Sequence, residues 1–256
     1  MLKNKMNYTG NLLNFQKYII NKKSLLFNNN KELLNCFKNY DKIHKTILNK
    51  FFYKIKLSDY NIENISNIEN SIGPYYLPQT KNKKGTFYLN LNKKWNMYEL
   101  FVLSLHELIP GHHYESTIQQ NNKSNYIKYN NFSIFSEGWG LYCENICDFN
   151  NDYIKFFQLY FKLHRILRCI VEIGINVYKW NEKKAKDYLK KYIYMEDELI
   201  HEEILRYIDI PGQNISYFMG YLEIIKSKDK FLKKNNNIKE FHKNILKIHK
   251  PFHLRN

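Results

Sequence analysis

Apolar residues recur at three- and four-residue intervals over most of the chain, and that spacing predicts mainly helices. LLNFQKYII and ELLNCFKNYDKIHKTILNKFF read as amphipathic helices with a break at 27–30 (FNNN). SDYNIENISNIEN is polar and asparagine-rich, which predicts a loop. Across 71–92 the pattern changes. Pro74, Pro78 and Gly85 punctuate two short runs, and TFYLNL alternates as a strand does. MYELFVLSLHEL carries apolar residues all round, as a buried helix would, until Pro110-Gly111 interrupts it. After the polar connector QQNNKSNYIKYNN, FSEGWGLYCENICDFN predicts a second buried helix beginning near Ser136. FFQLYFKLHRILRCIVEIGI and EKKAKDYLKKYIYM follow as helices separated at 179–181, and EEILRYIDI runs into Pro211-Gly212. SYFMGYLEIIKSKDKFL and IKEFHKNILKIH complete the series. The expected fold is mainly α with a small β-sheet, organised as an N-terminal helical segment 1–70 and a larger unit 71–256.

Composition supports a packed domain: 44% hydrophobic and 16% aromatic residues, with 22 Tyr and 17 Phe against 9 Gly and 5 Pro. The net charge of +16 comes mostly from lysine spread along the whole chain, not gathered into a stripe. Lys, Asn, Ile, Tyr and Phe are inflated together, the signature of AT-rich coding. No zinc-finger, RNP or glycine-lysine loop pattern accompanies the charge, so no specific nucleic-acid partner is expected. Cys36, Cys143, Cys147 and Cys169 are too few and too irregular for a disulfide framework, which predicts reduced thiols. The N-terminus lacks an apolar signal region, and no stretch approaches ~20 uncharged apolar residues. The expectation is a cytoplasmic protein without a membrane partner.

The chemistry concentrates in LSLHELIPGHHYE. A His106-Glu107 pair inside a self-burying helix is costly unless something satisfies it. Zn2+ would: neutral imidazole is a favoured ligand, and an adjacent Glu can accept a proton from metal-activated water. The familiar spacing is H-E-x-x-H, two His one turn apart. Here position 110 is proline, and the sequence offers H-E-x-x-P-G-H-H instead. On an unbroken helix His112 would be rotated about 240° from His106, and His113 would share its face about 10.5 Å farther along. Pro110 cannot donate the helical hydrogen bond and Gly111 permits unusual dihedrals. A bulge there could absorb two residues and return His112 to the second ligand position, with His113 as the alternative. Glu137, on the next buried helix, supplies the third ligand, leaving one coordination position open. Glu144, two turns further on the same face, could orient a ligand His.

HELIPGHH, SEGWGLYCE and ILRYIDIPGQNISYFMGYLEI together resemble the signature blocks of the domain-of-unknown-function 885 family, a group of predicted helical metallopeptidases. GPYYLP, GTFYLNL and EFHKNIL fit the same pattern, and the likeness runs from about residue 40 to the C-terminus. The resemblance implies a gluzincin-like catalytic domain with a short sheet edge beside the cleft. It implies His106, His112 and Glu137 as metal ligands and Glu107 as general base. It also places Arg206 and Tyr217 in an R-Y-x-x-x-P-G-Q-x-x-S-Y block whose guanidinium or phenol could donate to an oxyanion. The implied substrate is a peptide or small amide. Two departures matter. Glu172 and Asn176 stand where the family shows Asp and His, which would remove a possible transition-state donor. The chain also lacks most of a large N-terminal helical region, so that a cleft wall would be missing or supplied by a partner chain or oligomer. Beside the peptidase stand two further readings: an amidase or esterase using the same residues, and a degenerate member that binds zinc or a partner without turnover.

Overall fold

Asparagines start the helices. The side chains of Asn11, Asn29, Asn96, Asn151 and Asn181 each accept a first-turn backbone N–H, satisfying donors that have no intrahelical partner. The abundance that reads as compositional bias is used structurally. The computed structural model describes residues 2–65, 73–129 and 132–248. Among them α1 (Leu2–Lys5), α2 (Leu12–Ile20) and α3 (Asn30–Phe51) precede the sheet. A single turn of 3-10 helix, Lys23–Leu25, lies between α2 and α3, so the break comes earlier than 27–30 alone.

The sheet has three strands: β1 (Tyr60–Asn64), β2 (Tyr75–Leu77) and β3 (Gly85–Leu89), in the order β1-β3-β2. β3 is the expected TFYLNL strand, almost wholly buried. It pairs parallel with β1 and antiparallel with β2. β1 corrects the sequence reading, which made SDYNIENISNIEN a loop. Tyr60 and Ile62 alternate as half-buried residues while the intervening positions face solvent, and an edge strand with one wet face needs no more hydrophobicity than that. Residues 66–70 of that stretch lie outside the described residues.

The motif helices follow as α4 (Met97–Glu107), α5 (His112–Gln120), α6 (Asn125–Tyr129) and α7 (Ser133–Glu144). α7 begins three residues before the expected Ser136, and the polar connector contains α6 as a short helix. Then come α8 (Asp152–Asn176), α9 (Glu182–Tyr192), α10 (Asp197–Asp209), α11 (Gln213–Leu232) and α12 (Ile238–Ile248). Gly212, at φ +89°, makes the left-handed turn between α10 and α11 that a residue with a Cβ would resist.

α4 is the axis. Every residue from Leu100 to Glu107 is buried. Leu100, Phe101 and Leu105 share one core with Phe15, Ile19, Leu33 and Phe37 from α2 and α3, and with Phe87, Trp139 and Phe157. The N-terminal helices therefore pack into the same core as the motif helices. Buried Asn96 ties them further, donating from Nδ2 to the Ile19 carbonyl at 3.0 Å. A second, smaller cluster (Leu167, Val171, Leu189, Ile200, Ile204 and Tyr207 among its members) joins α8 to α9 and α10. The four cysteines are free thiols. No helix among the described residues is long and apolar enough to cross a membrane.

Candidate metal centre

Pro110-Gly111 does more than bulge a helix. α4 stops at Glu107 and α5 begins afresh at His112. Across the break the Tyr114 N–H bonds to the Leu108 carbonyl at 3.2 Å, a span of six residues instead of the helical four, so two residues are taken up in the turn. Gly111 has to be glycine: a Cβ there would lie 1.7 Å from the His106 carbonyl oxygen. The Trp139 indole of α7 donates to the Pro110 carbonyl at 3.0 Å and fastens the turn.

His112 is thereby returned toward His106. Their rings meet edge to face with centroids 4.8 Å apart. Glu137 approaches both: its Oε2 is 3.5 Å from His106 Nε2 and 3.6 Å from His112 Nε2. These three side chains are the described group of metal-type donors, one ligand atom from each lying within 4.8 Å of the others. The two short separations decide what the contacts are. At 3.5–3.6 Å they are too long for good hydrogen bonds, and Glu137 Oε2 is buried without a hydrogen-bond partner. Ligand atoms about 2.05 Å from a tetrahedral ion would sit about 3.3 Å apart. The spacing fits donors arranged around a cation.

The far side of each imidazole is also engaged. His106 Nδ1 lies 2.7 Å from Glu144 Oε1, as the sequence suggested. His112 Nδ1 is 3.3 Å from Glu115 Oε2 and 3.3 Å from Ser136 Oγ, and Ser136 donates to Glu115 at 2.9 Å. Carboxylates at Nδ1 hold a proton there and turn Nε2 of each ring toward Glu137. Glu115 was missed in the sequence because it reads as an ordinary polar residue on α5. Its i+3 spacing from His112 was the available signal. Burial opposes charge on all three donors, but the cluster overrides it: Glu137 is held well below the usual carboxylate range by the two imidazoles. His106 is raised by Glu137 and Glu144, and His112 well raised by Glu115 and Glu137. For a cluster that holds zinc, removing either backing carboxylate, by Glu115→Ala or Glu144→Ala, is expected to weaken that binding about 10–100-fold. Chelator competition measures it, and unchanged affinity in both variants would show that the carboxylates do not orient the ligands.

His113 is placed elsewhere. Its Nε2 donates to the Ser58 carbonyl at 3.0 Å, its Nδ1 accepts from the Tyr76 hydroxyl at 2.8 Å, and burial keeps the ring neutral. It joins α5 to the sheet region, so the alternative ligand is excluded by where the side chain points. Another His, His44, lies 3.0 Å from Ser104 Oγ with Asp41 3.8 Å beyond, but His44 and Ser104 are sealed in the core and reach no solvent.

A cleft of ≈ 550 Å³ opens on the cluster. Glu107 lines it, 6% exposed, with one carboxylate oxygen buried and unbonded, and burial raises its pKa. Tyr217 lines it too, its ring stacked against His106 at 6.1 Å. Arg206 reaches the cleft, and its Nε donates to Gln213 Oε1 at 3.1 Å while Gln213 Nε2 contacts the Tyr217 hydroxyl at 3.5 Å. Arg206 thus bears on Tyr217 through Gln213. Asn176 does not line the cleft. Its amide donates to the Glu172 and Tyr207 carbonyls, and Glu172 accepts the Gly212 N–H, so both residues brace the junction of α8, α10 and α11. The expected loss of a transition-state donor there has no counterpart in this geometry.

No curated protein matches the chain. Solved structures share its fold, two "putative lipoproteins" among them. One, from Colwellia psychrerythraea and named "putative lipoprotein", superposes with a TM-score of 0.88 at 20% identity, over 96% of this chain and 46% of that one. The other, from Shewanella oneidensis and named "putative lipoprotein of unknown function", gives a TM-score of 0.69 at 17% identity, over 82% of this chain and 42% of that one. This chain spans less than half the length of either. The family described as "Bacterial protein of unknown function (DUF885)" matches residues 2–248, reaching well upstream of residue 40, and the chain belongs to that family.

Proposed function

We propose that the chain is a zinc-dependent hydrolase that cleaves peptide bonds. The observation that carries the reading is the convergence of His106 Nε2, His112 Nε2 and Glu137 Oε2 at non-hydrogen-bonding distances, with both Nδ1 atoms backed by carboxylates. Two imidazoles and one carboxylate are a familiar protein donor set for catalytic zinc, and they leave a position for solvent or substrate. A zinc ion held there would supply a Lewis acid that brings the pKa of the attacking water from about 15.7 toward about 7.

The remaining steps belong to this chain's side chains. Glu107, buried beside the cluster with one oxygen unengaged, takes the proton of the attacking water and later hands it to the leaving amine. Burial raises the Tyr217 phenol, which stays protonated and able to donate. With Gln213 Nε2 directed at its oxygen, that hydroxyl proton is directed toward the carbonyl oxygen of a bound substrate. Arg206 positions Gln213 and, through it, Tyr217. Aromatic residues of the cleft such as Trp95, Phe157 and Phe161 exclude water, so these charges act strongly.

The test is metal analysis of the purified chain together with cleavage of a fluorogenic peptide mixture. About one zinc per chain is expected, with cleavage abolished by a chelator, restored by zinc, and absent in His106→Ala. A wild-type chain that takes up no zinc would end the proposal. Zinc without hydrolysis of any peptide would leave a hydrolase of non-peptide bonds or a binding protein.

A further inference from the structure

The cleft's acidic groups are nearly all committed. Glu137 belongs to the donor group, and Glu107 is buried in the cleft wall beside it. Glu203 is paired with Arg168 and accepts from the Tyr207 hydroxyl at 2.8 Å. Glu99 is bridged by Lys93 at 3.1 Å, and Glu196 accepts from the Tyr194 hydroxyl. A substrate ammonium group would find no carboxylate in the cleft that is both exposed and without a hydrogen-bonded or ionic partner.

The cations are different. Arg168 is neutralised by Glu203, Lys93 bridges Glu99, Lys94 is exposed at the rim, and Arg206 keeps its charge but has its Nε held by the neutral Gln213. Arg165 forms no direct ion pair with a carboxylate among the described residues, although its charge acts on Glu107 across the cleft. Its Nε is buried without a hydrogen bond, and its guanidinium rests over the Tyr217 ring at 4.5 Å. A cation held on an aromatic face, half-buried in a cleft and unpaired, is arranged for an anion that arrives with the ligand.

We infer that Arg165 anchors the C-terminal carboxylate of the substrate, so that the chain trims peptides from their free C-terminal end. The inference rests on the peptidase reading for its chemistry, but the anion site stands on Arg165 and the charge inventory alone. Distance sets the mode. His106 to Tyr217 and Tyr217 to Arg165 are successive contacts of 6.1 and 4.5 Å. An extended peptide advances about 3.3–3.6 Å per residue. A carboxylate at Arg165 therefore lies within about one to three residues of the bond presented to the metal, and the product released is a single amino acid or a very short peptide. The guanidinium's planar donor pair suits a carboxylate held by two bonds.

The test begins with binding, which needs no turnover. Calorimetry with the zinc-loaded chain compares N-acetyl-phenylalanine, its carboxamide, and N-acetyl-glutamate α-amide, whose only carboxylate is on a side chain. The free acid is expected to bind about tenfold or more tightly than either amide. That preference should vanish in Arg165→Gln and return in part in Arg165→Lys. Equal binding of acid and carboxamide by the wild-type chain overturns the inference, and so does equal binding of the side-chain carboxylate. Cleavage of free-acid and amidated peptides is followed alongside. Acid-selective binding with no cleavage sinks the peptidase reading and leaves the anion site standing. Cleavage that ignores the C-terminal charge does the reverse.

Discussion

On the proposed mechanism, Glu107→Gln is expected to leave zinc binding intact and to lower peptide hydrolysis about 10²–10⁴-fold. The two halves of that outcome come from separate observations. Glu107 lies outside the three-donor group, so its loss removes no ligand. It is nevertheless buried on the cleft wall with an unbonded carboxylate oxygen, and burial raises its pKa. Gln preserves shape and hydrogen-bonding capacity but cannot carry the proton. Zinc content and kcat are measured on the same preparation. Full activity in the variant would remove Glu107 from the mechanism, while loss of zinc would mean that it helps to hold the metal.

The residues of this site were legible in the sequence to very different degrees, for physical reasons. His106-Glu107 stood out because a charged pair inside MYELFVLSLHEL contradicts its surroundings. His112 was legible only conditionally. Choosing it over His113 required knowing that the Pro-Gly turn adds two residues to the hydrogen-bond span, which the Tyr114–Leu108 bond makes plain and no periodicity count could supply. His113 looked equivalent in sequence because its burial and both its partners, Ser58 and Tyr76, come from the region around the sheet. β1 was invisible for the same reason: its strand character lies in pairing with β3 and not in its own hydrophobicity. Arg165 was unremarkable in LHRILR, since the absence of a partner is a property of the assembled cleft.

The two glycines of SEGWGLYCE make the sharpest remaining test. Glycine inside a helix costs about 1 kcal/mol relative to alanine, so two of them in α7 imply that something comes close. They face different things. A Cβ on Gly138 would fall 2.4 Å from the backbone of Gly220, and one on Gly220 would lie 1.8 Å from the Ile134 carbonyl oxygen, so α7 and α11 cross backbone against backbone. A Cβ on Gly140 would instead meet the His106 ring, 2.5 Å from Cε1 and 2.6 Å from Nε2. Gly138→Ala is therefore expected to lower stability by about 1–3 kcal/mol, the backbone clash outweighing the helix-propensity gain, with zinc affinity unchanged in the folded fraction. Gly140→Ala should show the opposite balance. His106 cannot simply rotate away while Glu144 holds its Nδ1 at 2.7 Å, so the ring is pushed off the position shared with His112 and Glu137. Zinc affinity should fall about 10–100-fold, with a smaller change in the melting temperature of the metal-free protein. Chemical denaturation and chelator competition separate the two effects. If Gly140→Ala binds zinc as tightly as the wild-type chain, His106 does not ligate from where the structure puts it.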